Sequence, residues 1–276
     1  MDRTDLLLWL AIEEDVGHGD VTTEAVIDPG AMGQAFVIGR EPFVLSGSKP
    51  FCKVFNLIDP AVEITGSFQD GEKIEANTHV FRLRGAIHSL LKGERIALNL
   101  LQRLSGIATL TRGMVDAMAG ASCLLLDTRK TTPLWRALEK EAVRHGGGAN
   151  HRFGLYDGVL IKDNHIAAVG GVYEAVKRAR QKVSHVLKVE VEVENLEDLE
   201  AAIHAGADVI LLDNFSPEEM KAAVSLNAGR CLLEASGGVT LDRIRAIAET
   251  GVDFVSSGAL THSARAIDIS MEFASG

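Results

Sequence analysis

Residues 187–214 read LKVEVEVENLEDLEAAIHAGADVILLDN. An apolar-rich run, Leu187–Val193, gives way to Glu194-Asn195. A stretch with helical spacing, Leu196–Ala205, follows, and a second apolar run, Val209–Leu212, opens onto Asp213-Asn214. The apolar pattern passes from strand-like to helix-like and back, which predicts strand, loop, helix, strand. Repeated, that unit builds a parallel sheet.

The same rhythm runs outward from about Ala121. It places strands at Cys123–Leu126, Val159–Ile161, Leu232–Glu234 and Phe254–Ser256, with helices at Tyr173–Lys182, Pro217–Ser225 and Leu241–Thr250. No GxGxxG follows the first strand, so a closed β/α barrel is expected rather than a dinucleotide-binding sheet. The strands run out into Asp127-Thr128-Arg129-Lys130, Lys162-Asp163-Asn164-His165, Glu194-Asn195, Asp213-Asn214, Ala235-Ser236-Gly237-Gly238 and Ser257-Gly258. Reactive groups therefore collect at strand C-termini, where a barrel keeps its active site. Upstream, a helix from Thr4 to about Asp15 should end at Gly17 and Gly19. Short β-like runs at Gln34–Ile38, Ala61–Ile64 and His79–Leu83 follow. Between Leu90 and Met118, Ile96, Leu100, Leu104 and Ile107 recur at helical spacing, with Gly106 as a candidate kink or domain junction.

The chain has 276 residues, 46% of them hydrophobic, and a formal net charge of −10. This length can bury a sizeable core in one large or two moderate domains. The acidic balance argues against a general nucleic-acid binder. No apolar run approaches the roughly 20 residues of a membrane span, and no basic segment precedes Leu6–Ile12, so neither a membrane span nor a signal peptide is expected. Cys52, Cys123 and Cys231 form no CxxC pair, which fits a reducing cytoplasm, and Cys123 and Cys231 should be buried.

Residues 127–165 hold seven Lys/Arg against five Asp/Glu, a basic island in an acidic chain. Arg136, Lys140 and Arg144 lie four apart on a helix opened by Thr132-Pro133 and stopped by Gly146, and read as solvated surface. Arg129, Lys130, Arg152 and Lys162 sit instead at strand ends or in a glycine-rich loop. Arginine forks onto carboxylates and phosphates and lysine supplies a point charge, so the four suit an anionic ligand. Gly146-Gly147-Gly148 is a weak signal. Ser236-Gly237-Gly238 and Ser257-Gly258 are stronger, because barrels often hold phosphate after their final strands. Glu190, Glu192 and Glu194 share one strand face. Turned into a barrel, such stacked carboxylates need cations, for which Arg129, Lys130 and Lys162 are candidates, or a metal. Asp213 could join them around Mg²⁺ held mainly through substrate and water. Neither a zinc cluster nor a Gly-x-Ser-x-Gly elbow is present. His151 and His165 stand beside the basic residues, and His165 reads equally well as a structural hydrogen-bonder.

These segments, in this order, resemble the quinolinate phosphoribosyltransferase family. The matching pieces are EDVGHGD (14–20), GERIALNLLQRLSGIAT (93–109), DTRKTTP (127–133), GGGANHRFGL (146–155), LIKDNHI (160–166), EVEVEN (190–195), LLDN (211–214), EASGG (234–238) and SSGALTHS (256–263). The resemblance implies an α/β chain with an N-terminal α/β sandwich, residues 1–106 joined by 264–276, and an incomplete, about seven-stranded β/α barrel over 107–263. It implies transfer of a phosphoribosyl group from phosphoribosyl pyrophosphate to quinolinate with loss of CO₂, in NAD biosynthesis. It implies Mg²⁺, and a homodimer or a higher assembly such as a hexamer. Arg129, Lys130, His151, Arg152 and Lys162 would receive carboxylates and phosphates, with Arg95 reaching across from a partner subunit. Glu192 and Asp213 would face ribose and metal. Ser236, Gly237, Gly238, Ser257, Gly258 and His262 would lie near phosphate, and Lys130, Lys162, Glu192 and Asp213 would carry the chemistry. The chain departs from the family pattern at Leu134-Trp135 and at residues 41–45, while every charged site residue is kept. Three rivals remain: a paralogous phosphoribosyltransferase with another acceptor, a Schiff-base aldolase using Lys162, and a non-catalytic metabolite binder.

Overall fold

The computed structural model describes residues 2–274. Two compact units emerge, one of residues 1–110, 133–147 and 264–276, the other of 111–132 and 148–263.

In the first unit, α1 (Arg3–Val16) is capped by the Asp2 carboxylate and ends at Gly17, whose φ of 51° suits glycine. Then come α2 (Val21–Val26), β1 (Met32–Gly39), β2 (Phe43–Val44), α3 (Ser48–Ile58), β3 (Glu63–Gly66), β4 (Lys73–Ile74), β5 (Thr78–Ala86) and the long helix α4 (Ile87–Ala117). Helices α2 and α3 are additions to the sequence reading. Strand β1 pairs antiparallel with β5, and β5 with β3. Phe51, Phe55, Phe81, Leu83, Leu90 and Leu101 lie in the core packed on this sheet.

Helix α4 is unbroken, so Gly106 marks no kink. A Cβ there would lie 1.9 Å from the Arg265 carbonyl oxygen. The glycine serves close approach of the returning C-terminal segment.

From α4 the chain enters the second unit at Thr111. There β6 (Leu124–Leu126) leads out to α5 (Arg136–His145), which groups with the first unit. Relative to the expected boundaries, the first unit thus gains residues 133–147. The reason is packing: Leu138, Ala142 and Val143 are buried, and Arg103 Nη2 donates to Glu139 Oε1 at 3.0 Å. Lys140 is 2% exposed and buried with them, which corrects its expected place on the helix surface; Arg144 is exposed as expected.

The second unit continues through β7 (Val159–Ile161), α6 (Asp163–Val169), α7 (Val172–Lys182), β8 (Val189–Val193), α8 (Leu196–Ala205), β9 (Val209–Asp213), α9 (Pro217–Asn227), β10 (Leu232–Ser236), α10 (Ile244–Ala248), β11 (Phe254–Ser256) and α11 (Ala259–His262). The strands form one parallel sheet in the order β6-β11-β10-β9-β8-β7. The expected seven strands are six, and no pairing between β6 and β7 closes them among the described residues. A single parallel bridge, Leu126 to Ala149, stands on the free side of β6. The barrel is therefore incomplete rather than closed. Finally β12 (Ile269–Phe273) returns to the first unit and pairs with β1.

Candidate active site

Each strand of the parallel sheet delivers the residues that the sequence placed at its C-terminal end. Arg129 and Lys130 follow β6 and are exposed, and Lys162 follows β7 directly. The Lys162 ammonium donates to Glu192 Oε2, from the same end of β8. Asp213 closes β9 in register with Ser236 at the end of β10, and its Oδ2 accepts from Asn214 Nδ2 at 2.8 Å.

The glycine loops are close fits. Gly237 has φ of 89°, and a Cβ on it would lie 2.2 Å from Asn214 Oδ1. A Cβ on Gly258 would lie 2.8 Å from Lys130 Cδ and 3.1 Å from His262 Cδ2. Thr261 Oγ1 donates to the Lys130 carbonyl at 2.9 Å, and the Ser257 amide to the Leu126 carbonyl at 3.0 Å. Lys130, Gly258 and His262 therefore share one corner of the second unit. Arg95 lies on α4 in the first unit, and its side chain is exposed.

Residues 150–154 are held amide by amide. The buried Asp127 carboxylate accepts from Asn150 Nδ2 at 2.6 Å and from the His151 amide at 2.9 Å. The Arg152 amide donates to His151 Nδ1 at 2.7 Å. The Asp157 carboxylate accepts from the amides of Phe153 at 2.6 Å and Gly154 at 2.8 Å. The Arg152 guanidinium donates to the Gly158 carbonyl at 3.1 Å. Burial, and then the neighbouring Arg129 cation, pull its pKa below the usual arginine value.

Deeper in the second unit, His151 Nε2 lies 3.0 Å from Glu190 Oε2 and 3.6 Å from Glu234 Oε2. Both acids are almost wholly buried, and one oxygen of each, Oε1, has no hydrogen-bond partner. Burial, then the Glu190 charge, push the Glu234 carboxyl up to about 7. The carboxylate ladder on β8 was thus anticipated, but its partners divide by depth. Lys162 serves Glu192, while His151 serves Glu190. Glu194 is exposed. Asp127, Asp157 and Glu234 were missed as structural supports. The signal was weak, since each is a single acid beside a strand end or loop.

His165 finds its role in α6. Its Nδ1 accepts the Lys162 amide at 3.0 Å, so it caps a helix start. Of the two departing residues, Leu134 is exposed with φ of 72°, and Trp135 packs against the core of the first unit. Asp20, in the 14–20 segment, caps α2 through the amides of Thr22 and Thr23. Cys123 is buried, whereas Cys231 is only partly so; burial raises their thiols to about 12 and about 11.

Residues 20–105 match the family model of the quinolinate phosphoribosyl transferase N-terminal domain, and residues 107–272 that of its C-terminal domain. The chain belongs to the quinolinate phosphoribosyltransferase family. It is 45% identical over 259 residues to a probable nicotinate-nucleotide pyrophosphorylase [carboxylating] of Bacillus subtilis, covering 94% of this chain and 89% of that protein. It is 41% identical over 271 residues to the nicotinate-nucleotide pyrophosphorylase [carboxylating] of Mycobacterium leprae, covering 95% and 94%. The solved structure of the nicotinate-nucleotide pyrophosphorylase from Francisella tularensis superposes with a TM-score of 0.95 at 44% identity, over 99% of this chain and 96% of that one. The N-terminal sheet and the incomplete six-stranded barrel are therefore the quinolinate phosphoribosyltransferase fold. No described helix is long and apolar enough to cross a membrane.

Proposed function

We propose that this chain transfers the phosphoribosyl group of phosphoribosyl pyrophosphate to quinolinate, yielding nicotinate mononucleotide, pyrophosphate and CO₂. The observation that carries this reading is the set of cations on the barrel unit, Arg129 and Lys130 after β6, Arg152 in the loop before β7 and Lys162 directly after it, in a chain of the quinolinate phosphoribosyltransferase family. It suits a small dicarboxylate, because each arginine can take one carboxylate through two parallel hydrogen bonds. Lys130, beside Gly258 and His262, suits the phosphates of the second substrate.

The chemistry asks mainly for positioning and charge. The quinolinate ring nitrogen attacks the anomeric carbon of the ribose, and the bond from that carbon to pyrophosphate breaks. Positive charge develops at the sugar, where the carboxylates of Glu192 and Asp213 stabilise it. The nitrogen becomes a pyridinium, which accepts the electron pair released as the adjacent carboxylate leaves as CO₂. A proton then replaces it on the ring carbon. Holding both substrates in line supplies much of the rate.

Glu192 and Asp213 are hard oxygen donors and would hold Mg²⁺. A bound Mg²⁺ would neutralise charge on the leaving pyrophosphate. The ion pair of Lys162 with Glu192 disfavours the aldolase alternative. The ammonium is held by a carboxylate and the lysine side chain is 46% exposed, whereas a Schiff-base lysine works from a desolvated pocket. We assign Arg95 to quinolinate binding from a partner subunit in a homodimer, and the reaction to the cytoplasm.

The test is release of CO₂ from carboxyl-labelled quinolinate. Release should require both phosphoribosyl pyrophosphate and Mg²⁺. Folded protein that releases none under those conditions overturns the assignment.

A further inference from the structure

His151 sits beside the substrate-binding arginine, yet its ring nitrogens are both engaged by the protein. Nδ1 accepts the Arg152 amide at 2.7 Å. A proton on Nδ1 would meet that N–H head-on, so the ring proton belongs on Nε2. There it points at Glu190 Oε2, 3.0 Å away, with Glu234 Oε2 at 3.6 Å. Among the described residues, these three form one group whose ligand-type atoms lie within 4.8 Å of one another. A metal would need the lone pair of Nε2, which the tautomer removes, so the geometry favours a hydrogen-bonded clamp over a metal site.

The clamp lines a cavity of about 220 Å³ together with Arg152 itself, Leu126 at the end of β6, and Val159, Val209, Leu232 and Phe254, the first residues of β7, β9, β10 and β11. The Lys162, Glu192, Asp213 and Ser236 group stands at the opposite, C-terminal ends.

We infer that Glu190 is a positioning residue that acts through His151 to set the backbone, and hence the guanidinium, of Arg152, with Glu234 walling the imidazole on its other side. The inference rests on the proposed function for its catalytic readout. The chain of contacts is short. Glu190 fixes the imidazole, the imidazole holds the Arg152 amide, and Asp127 and Asp157 hold the amides on either side. An Arg152 guanidinium turned by even a modest angle would lose a bidentate carboxylate geometry.

Two measurements decide it. The first needs no turnover: long-range ¹⁵N–¹H correlation spectra of the histidine rings at neutral pH, with His151 assigned by its absence from His151→Gln. The expected pattern is a proton on Nε2 and none on Nδ1; a proton on Nδ1 overturns the inference. The second compares Glu190→Leu, which removes the acceptor, with Glu190→Gln, which keeps one. In Glu190→Leu the KM for quinolinate should rise about tenfold or more while that for phosphoribosyl pyrophosphate stays within about twofold, and Glu190→Gln should recover most of the loss. Equal rises for both substrates, or a Gln variant as damaged as the Leu variant, would count against a positioning role. If the wild-type protein shows no turnover, the proposed function fails, and the ring spectra still decide the clamp.

Discussion

Glu190 and Glu192 stand two residues apart on β8 and point to the same face, yet they live in different chemistries. Glu192, with a side chain 12% exposed, pairs with a lysine that is 46% exposed and can swing away when a ligand arrives. Glu190, 9% exposed, pairs with a histidine that is 14% exposed and fixed at both ring nitrogens. One step of roughly 7 Å along a strand separates an exchangeable ion pair from a rigid clamp. A parallel barrel can therefore write support and reactivity into one strand by depth alone.

The largest expected effect falls where the clamp meets the ligand. Arg152→Ala should weaken quinolinate binding by about 100-fold or more, the loss of a charge-assisted fork worth roughly 3 kcal/mol. Isothermal titration calorimetry on the folded variant reads it, and unchanged affinity would remove Arg152 from the pocket. Next comes the buried acid. The Glu234 carboxyl lies near 7 in the fold, against an ordinary 4.5. The folded state therefore holds its proton more tightly, and stability should fall as pH rises through that window and level off above it. The size is on the order of 3 kcal/mol. Thermal midpoints of the wild type against Glu234→Gln across that range should diverge, with the variant gaining; parallel curves would place no shifted proton there. Gly237→Ala forces a Cβ toward Asn214 at φ of 89° and should cost about 1–3 kcal/mol, seen as a lower midpoint. Smallest of all, Lys162→Met should change stability by no more than about 1 kcal/mol, because half-exposed ion pairs are worth little, while it lowers turnover sharply. A large drop in midpoint would put Lys162 with the clamp rather than with the exchangeable pair.

Much of this division was visible in the letters. The strand-helix alternation from Ala121 onward, and the polar run-out after each strand, follow from hydrophobic periodicity, which is local. The charged groups at those ends follow for the same reason. What the letters hid was depth. Nothing in VEVEV distinguishes Glu190 from Glu192, since burial depends on strands brought together from 232 and 254. Lys140 was misplaced for a related reason. Four-residue spacing says which residues share a helix face, not which of them is covered, and α5 buries Lys140 while Arg144 stays exposed. The gap beside β6 was equally out of reach of periodicity, which counts strands but does not close them. Gly106 reads as a kink or a domain junction, but not as a point of close backbone approach, because its partner lies at Arg265.

The pairing of β12 with β1 has a consequence for synthesis. The first sheet has the order β12-β1-β5-β3, and Arg40 reaches Ser270 across 230 positions of sequence. A ribosome releases β1 well before β12, with all the barrel strands between them. The N-terminal sheet therefore waits, with one edge of β1 unpaired, through translation of the barrel strands. Contacts so distant in sequence slow folding, and an open strand edge invites wrong partners. The nascent chain should be most vulnerable to aggregation, and most in need of chaperones, in the interval that ends when residues 269–273 emerge.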